Sequence, residues 1–295
     1  MKPVILIAGA TGNLGGKIIR ELLKLDAEPV ALVRPETAAD KIAVLEKNVR
    51  VMKIDMTNMA QLMEACTNVS CVVSALQGLH DVIVDTQTTL LNSAVAAHVP
   101  RFIPSDFASD FTRLPKGENR NFDLRRAFHE VLDKSTIHAT SILNGAFAEI
   151  LQYGTPLLNL KDHTVGYWED KNWKMDFTTM DNTAAFTAAA AIDENAPRFL
   201  RIAGFQISPA ELADLAGSVK GKTFKLIRMG SLADLAAYNK KERAAHPEGE
   251  KEVFPRWQSS QYIQSMFTVQ LDPLDNNKYP GMEWTTAREV IAGLN

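Results

Sequence analysis

The sequence predicts an α/β fold: a doubly wound parallel sheet followed by a smaller C-terminal α+β lobe. Three observations carry that expectation. Short apolar runs alternate with helix-period segments through the first half of the chain. A glycine turn closes the first run and opens the first helix. Beyond residue 155 the regular alternation is lost. Alternation at this pitch implies parallel strands joined by right-handed crossovers.

The first run, Val4-Ile5-Leu6-Ile7-Ala8, ends at Gly9. Gly12 and Gly15 follow at three-residue spacing, and Lys17-Ile18-Ile19-Arg20-Glu21-Leu22-Leu23 sets a helical period. The stretch reads as buried strand, tight turn and helix. Such a turn brings backbone N–H groups together at a helix N-terminus, where partial positive charge favours a pyrophosphate. The spacing is Gly-x-x-Gly-x-x-Gly, not the commoner Gly-x-Gly-x-x-Gly fingerprint. Further strands are expected over 29–33, 49–54, 71–75, 101–104 and 138–143, with helices over 38–47, 81–98 and 122–134. Asn58 has the look of an N-cap for one more helix.

In the second half, 165–168 and 173–177 flank a polar turn and predict a hairpin. A helix is expected over 181–192 and a strand over 199–202. Ser208-Pro209-Ala210-Glu211 is a helix start, with an N-cap serine, a proline at the first position and a glutamate three on. A strand over 222–229 and helices over 232–245, 256–271 and 285–294 complete the reading. The expected division is a nucleotide-binding domain over 1–155, with segments near 175–204 returning to it, and a substrate-binding lobe over 156–295. That lobe is expected over the carboxyl ends of the strands, where open α/β sheets bind ligands.

Composition excludes several classes. The chain has 295 residues, 46% hydrophobic and 23% charged, with a net charge of -3. No field draws it directly to nucleic acid or to an anionic membrane. No transmembrane run or cleavable signal is evident, which points to the cytoplasm. The cysteines Cys66 and Cys71 make no disulfide framework, and no metal-ligand spacing appears among the histidines.

Position 34 discriminates between dinucleotides. Folds that bind NAD usually place Asp or Glu at the end of strand two, on the ribose hydroxyl. Here Leu32-Val33 leads into Arg34. Arginine offers a planar, permanently charged fork for a 2′-phosphate, so NADP(H) is expected over NAD(H). Lys41 or Lys47 is placed to add a second positive charge. Asp55 is placed to approach the adenine, or equally to cap the turn into the next helix.

Gly9-Ala10-Thr11-Gly12-Asn13-Leu14-Gly15, Leu32-Val33-Arg34, Val73-Ser74-Ala75, Arg101-Phe102-Ile103-Pro104-Ser105-Asp106-Phe107 and Asn144-Gly145-Ala146-Phe147 occur in that order. Together they resemble the NmrA-like and isoflavone-reductase-like group of atypical short-chain dehydrogenases, from the N-terminus to about residue 221. The resemblance implies a Rossmann-type domain binding NADPH and hydride transfer to a small aromatic, phenylpropanoid-like substrate. By position it implies that Gly9, Thr11, Gly12, Asn13, Leu14 and Gly15 cradle the pyrophosphate and that Arg34 holds the 2′-phosphate. Ser74, Ala75, Leu76 and Gln77 line the path past the ribose. Ser105, Asn144, Ala146 and Phe147 border the nicotinamide.

The plant reductases of that group carry a lysine in a Phe-x-x-Lys pattern on the helix after strand five, as the proton donor or its positioner. The matching stretch here is Phe122-Asp123-Leu124-Arg125. Arginine gives up no proton near neutral pH, yet it orients a ribose and stabilises negative charge on a substrate oxygen. Arg125 and Ser105 are therefore the candidate catalytic residues, with Arg125 also touching the cofactor. His129 lies one turn on, on the same face; an ordinary imidazole suits proton transfer, but a lone helical histidine is more often structural. Tyr167 and Lys171 match the Tyr-x-x-x-Lys spacing of typical short-chain dehydrogenases, but span a turn and read as coincidence.

The expected function is an NADPH-dependent reductase acting on an ether, enone or carbonyl. The alternative is a non-catalytic NAD(P)-binding redox sensor of the NmrA-like type, which needs the glycine turn and Arg34 but no proton donor. A quinone or aldehyde reductase of broad scope is the third reading. The expected partner is a small-molecule substrate; a homodimer or a regulatory protein partner is left open.

Overall fold

The structure is a computed structural model and describes residues 2–294. The chain begins as β1 (Val4–Ala8), α1 (Asn13–Lys24), β2 (Glu28–Val33), α2 (Ala39–Glu46), β3 (Arg50–Lys53), α3 (Met59–Ala65) and β4 (Cys71–Ser74). It continues through α4 (Gln87–Ala96), β5 (Arg101–Ile103), α5 (Arg120–Leu132) and β6 (His138–Ala139). These strands form one six-stranded sheet in the order β3-β2-β1-β4-β5-β6. Every neighbouring pair in it is parallel. The order reverses beside β1, which makes the adjoining β1 and β4 ends the switch point where doubly wound sheets hold dinucleotides.

Local chemistry accounts for these elements. On α1, Ile18, Ile19 and Leu22 are buried, which fits the helical period of the sequence. Asn58 caps α3 by accepting from Gln61 N. On one face of the sheet Leu6, Val30, Val72 and Phe102 pack with Leu90, Leu91, Phe128 and Leu132. Each such side chain contributes about 1.5–3 kcal/mol on burial. The helix expected over 81–98 begins as a wider π-helical segment, Asp81–Thr86, before α4.

The remaining elements are β7 (Ser141–Leu143), β8 (Ala146–Phe147), β9 (Thr164–Trp168), β10 (Met175–Thr178), α6 (Met180–Ile192), β11 (Phe199–Arg201) and β12 (Phe205–Ile207). After them come α7 (Pro209–Lys220), β13 (Lys225–Gly230), α8 (Leu232–Ala245), α9 (Arg256–Met266) and α10 (Ala287–Gly293). The expected strand over 138–143 is divided. β6 ends the parallel sheet, whereas β7 pairs with β11. The break falls at Thr140, whose N–H still bonds Phe102 O and whose buried hydroxyl accepts from Arg101 Nη2.

The expected hairpin over 165–177 does not form. β9 pairs in parallel with β13, and β10 pairs with β12 and β8. The turn signal is real, with Asn172 N bonded to Asp170 Oδ1, but each flanking strand pairs elsewhere. The start of α7 follows expectation: Ser208 Oγ accepts from Glu211 N, Glu211 reaches back to the cap, and Pro209 stands at the first position.

The chain divides into two compact units: Met1–Asp106, Asn121–Ile142 and Thr183–Leu200; and Phe107–Arg120, Leu143–Asn182 and Arg201–Asn295. The first contains the six-stranded sheet. The second has its own core, in which Leu157, Val165, Met175, Phe177, Leu212 and Met266 are buried. Among the described residues no helix is long and apolar enough to cross a membrane. Among them, too, no cluster of His, Cys, Asp and Glu is arranged to hold a metal ion.

Candidate functional site

The site begins at the turn between β1 and α1. Gly9 has φ +84, and a Cβ there would lie 2.4 Å from Ala75 O. A Cβ on Gly15 would lie 2.2 Å from Gly9 O. Side chains are therefore excluded from both positions, and the backbone forms the surface of the turn. Gly12 N donates to Gly9 O at 3.0 Å, which tightens the loop. Gly12 is the N-cap of α1 and supplies no side-chain acceptor. The first-turn amides of Asn13, Leu14 and Gly15 thus receive no side-chain cap and stand at the positive end of the helix dipole. Thr11, Gly12 and Asn13 are exposed at the tip.

The turn and the end of β4 meet. Ala75 N bonds Ala8 O, and Gly9 packs against Ala75 and Leu76. The Ser74 hydroxyl is fully buried and has no hydrogen-bond partner; Gln77 is exposed. Ser105, beyond β5, joins this group. Its hydroxyl donates to Leu76 O at 2.6 Å, and its N–H donates to Gln87 Oε1 at 2.9 Å. Gln87 in turn donates to Ile83 O. A serine hydroxyl carries a single proton, and here it ties the ends of β4 and β5 together.

Arg34 follows β2 directly and is exposed, with Nε 3.2 Å from Glu36 Oε1. Lys41 is exposed in the first turn of α2. Asp55 takes the capping alternative: its Oδ1 accepts from both the N–H and the hydroxyl of Thr57. Those bonds hold its carboxyl below the usual range.

The motif from Arg101 to Phe107 has a different explanation at each position. Arg101 Nη1 donates to Ala190 O at 2.7 Å, in the last turn of α6, where a cation suits the helix dipole. Phe102 is core and lies 6.2 Å from the Phe128 ring. Asp106 is fully buried. Its Oδ2 accepts from His129 Nε2 at 2.7 Å and from Ser141 Oγ at 2.6 Å. Arg198 approaches from the other side, donating to Ser141 Oγ at 2.6 Å and to Asp133 Oδ1 at 2.9 Å. Burial pushes the Asp106 carboxyl up, but His129, Ser141 and the Arg125 charge outweigh it and hold the pKa below the ordinary value. This cluster was not legible as a cluster; the one hint was an acid following an apolar strand. It holds His129 in a buried hydrogen-bonded network.

Arg125 stands one turn before His129 on α5. Its Nη1 donates to Asn121 O at 3.0 Å, its guanidinium lies 5.8 Å from the Phe122 ring, and its Nε is buried without a partner. Asp106 Oδ1 is likewise buried without a partner.

Asn144, Ala146 and Phe147 lie in the second unit. The N–H groups of Asn144 and Gly145 both donate to Ala108 O, at 3.0 and 3.1 Å. Thr178 Oγ1 donates to Asn144 O at 2.8 Å. A Cβ on Gly145 would lie 2.5 Å from Asp176 O, so this loop too requires glycine. The Asn144 side chain is fully buried, and neither its nitrogen nor its oxygen has a partner. Asp176 accepts from Gln206 Nε2 at 2.7 Å and from Leu271 N at 2.8 Å. Burial nevertheless pushes its pKa up to about 6. Tyr167 lies in β9 and Lys171 in the turn beyond it, so the pair does not share a helix.

The family model described as NmrA-like family matches residues 1–279. Pinoresinol reductase 1 of Arabidopsis thaliana is 29% identical over 211 residues, covering 65% of this chain and 65% of its own length. Probable pinoresinol-lariciresinol reductase 3 of the same plant is 25% identical over 262 residues, covering 86% of this chain and 84% of its own. The alignment thus spans a little under two thirds of the first relative and more of the second. The solved structure of AtPrR2 with NADP+ and (+)-pinoresinol superposes with a TM-score of 0.80 at 22% identity, covering 99% of this chain and 98% of that one. At that identity the superposition speaks for the fold.

Proposed function

Because the chain belongs to the NmrA-like family, we propose that it is an NADPH-dependent reductase acting on a small aromatic, phenylpropanoid-like ether, enone or carbonyl. One observation carries the cofactor half of that reading: the uncapped N-terminus of α1 lies behind glycines that admit no side chain. The names of the relatives, both pinoresinol-type reductases, support the substrate class. The second unit keeps the role of substrate lobe.

The candidate residues of the first unit then divide the work. The amides of Asn13, Leu14 and Gly15 bind the pyrophosphate, and the Arg34 fork binds the 2′-phosphate. Ser74, Ala75, Leu76 and Gln77 line the path past the ribose. Ser105 fixes that path through Leu76. When bound, NADPH supplies a hydride. Arg125 stays charged throughout and stabilises negative charge on the substrate oxygen, while water supplies the proton.

A second reading, the NAD(P)-binding redox sensor, is favoured by one observation. Arginine gives up no proton near neutral pH, and the Ser105 hydroxyl is given to Leu76 O, so neither is placed to supply one. The test is NADPH oxidation against a panel of pinoresinol-type lignans, phenolic ethers, enones and quinones. Turnover with at least one class, lost at least about tenfold in Arg125→Ala, is expected when an electrostatic stabiliser is removed. Tight NADPH binding with no turnover on any class would instead count strongly for the sensor.

A further inference from the structure

We propose that Glu36 sets how strongly the site prefers a 2′-phosphorylated dinucleotide, by competing with that phosphate for Arg34. This rests on the assignment of Arg34 to NADP(H) above. Arg34 and Glu36 flank Pro35 immediately after β2. The turn that holds them is closed by Thr37 N donating to Arg34 O at 3.0 Å. Proline fixes the backbone between them, so both side chains leave one short, restrained turn. They meet there, with Arg34 Nε 3.2 Å from Glu36 Oε1 and both side chains well exposed at 74% and 66%.

Two consequences follow for an anion arriving at Arg34. Glu36 already occupies the Nε edge of the guanidinium, so a phosphate must either displace it or accept the remaining fork. A phosphate on that fork also lies within about one Debye length of the carboxylate, and the like charges repel. A dinucleotide with a free 2′-hydroxyl carries no charge at that position and is nearly indifferent to Glu36. The acid that usually marks NAD-binding folds at this strand end is thus present two residues late, beside the arginine. There it narrows the preference that Arg34 creates. An exposed pair of this kind is weak, so the effect is a modest factor in affinity.

Both residues are on the surface, so their variants are expected to fold. The experiment is a fluorescence titration of NADPH and of NADH into the full chain, for the native protein, Glu36→Gln, Arg34→Ala and the double variant, at low and high salt. Glu36→Gln is expected to lower the Kd for NADPH about threefold to tenfold at low salt, and to leave NADH within about twofold. The gain should fade at high salt and vanish in the Arg34→Ala background. An unchanged or raised Kd for NADPH, an equal shift for NADH, or a gain that survives without Arg34 overturns the proposal. If Arg34→Ala leaves the Kd for NADPH unchanged, the cofactor assignment itself falls, which separates the two failures.

Discussion

His129 Nε2 lies 2.7 Å from Asp106 Oδ2, with the two side chains only 9% and 1% exposed. This buried pair ties α5 to the end of β5, one turn from Arg125. Removing one partner leaves the other charge or dipole buried and uncompensated. His129→Ala is therefore expected to lower the free energy of unfolding by about 2–4 kcal/mol. The check is a urea titration at pH 7, where a loss below about 0.5 kcal/mol would remove the pair from the set of anchoring contacts.

The acid side of the same pair has a pH signature. The Asp106 carboxyl is held below its ordinary value by His129, Ser141 and Arg125 against the opposing effect of burial. A depressed carboxyl contributes stability that is present above its unfolded pKa of about 3.9 and lost as pH falls through the folded value. Native protein should therefore lose this contribution below about pH 4. His129→Ala should show a shallower acid limb in urea midpoints taken from pH 3 to 7. Parallel limbs for the two proteins would contradict the assignment.

Asp176 has the opposite sign. Burial raises its pKa to about 6 despite the bonds from Gln206 and Leu271. The folded state then holds its proton more tightly than the unfolded chain. Stability should fall as pH rises from about 4 to about 6, by up to about 3 kcal/mol, and be flat with respect to this group above that. Asp176→Asn removes the titration. The stability difference, variant minus native, should thus rise across that window in matched urea titrations. A difference independent of pH would show that the group does not titrate there.

The glycines of the turn separate by position. A Cβ at 15 would lie 2.2 Å from Gly9 O, whereas a Cβ at 16 would meet Ala10 O at an ordinary 3.6 Å. Gly15→Ala should cost about 1–3 kcal/mol by forcing the backbone apart and should raise the Kd for NADPH at least about tenfold. Gly16→Ala should be neutral or stabilising by up to about 1 kcal/mol, because alanine is the better helix former. Thermal unfolding and cofactor titration of the two variants check this. Equal tolerance at both positions would contradict the geometry of the turn.

What was legible in the sequence was mostly local. Gly9, Gly12 and Gly15 announce their turn by spacing, and at Gly9 and Gly15 a Cβ would collide with backbone. Ser208 and Glu211 announce a helix start because the capping box lies within four consecutive residues. The pairing of β9 with β13 was not legible, because the polar turn at 169–172 offers a nearer partner and only packing across the unit selects the distant one. At the break, Thr140 Oγ1 accepts from Arg101, far away in sequence. Burial of acids was hidden for the same reason. Nothing near Asp106 in the chain shows that His129 and Ser141 converge on it. The candidate site divides likewise: Gly9–Gly15 was read from spacing and Arg34 from its place after strand two, whereas the engagement of Ser105 with Leu76 O could not be read.

The most direct test of NADP(H) at the glycine turn is the affinity of the native chain for NADPH and for NADH, beside Arg34→Ala. A Kd for NADPH at least about tenfold below that for NADH is expected, with the preference erased in Arg34→Ala and NADH left unchanged. Equal affinities in the native chain, unaltered by the substitution, would contradict it.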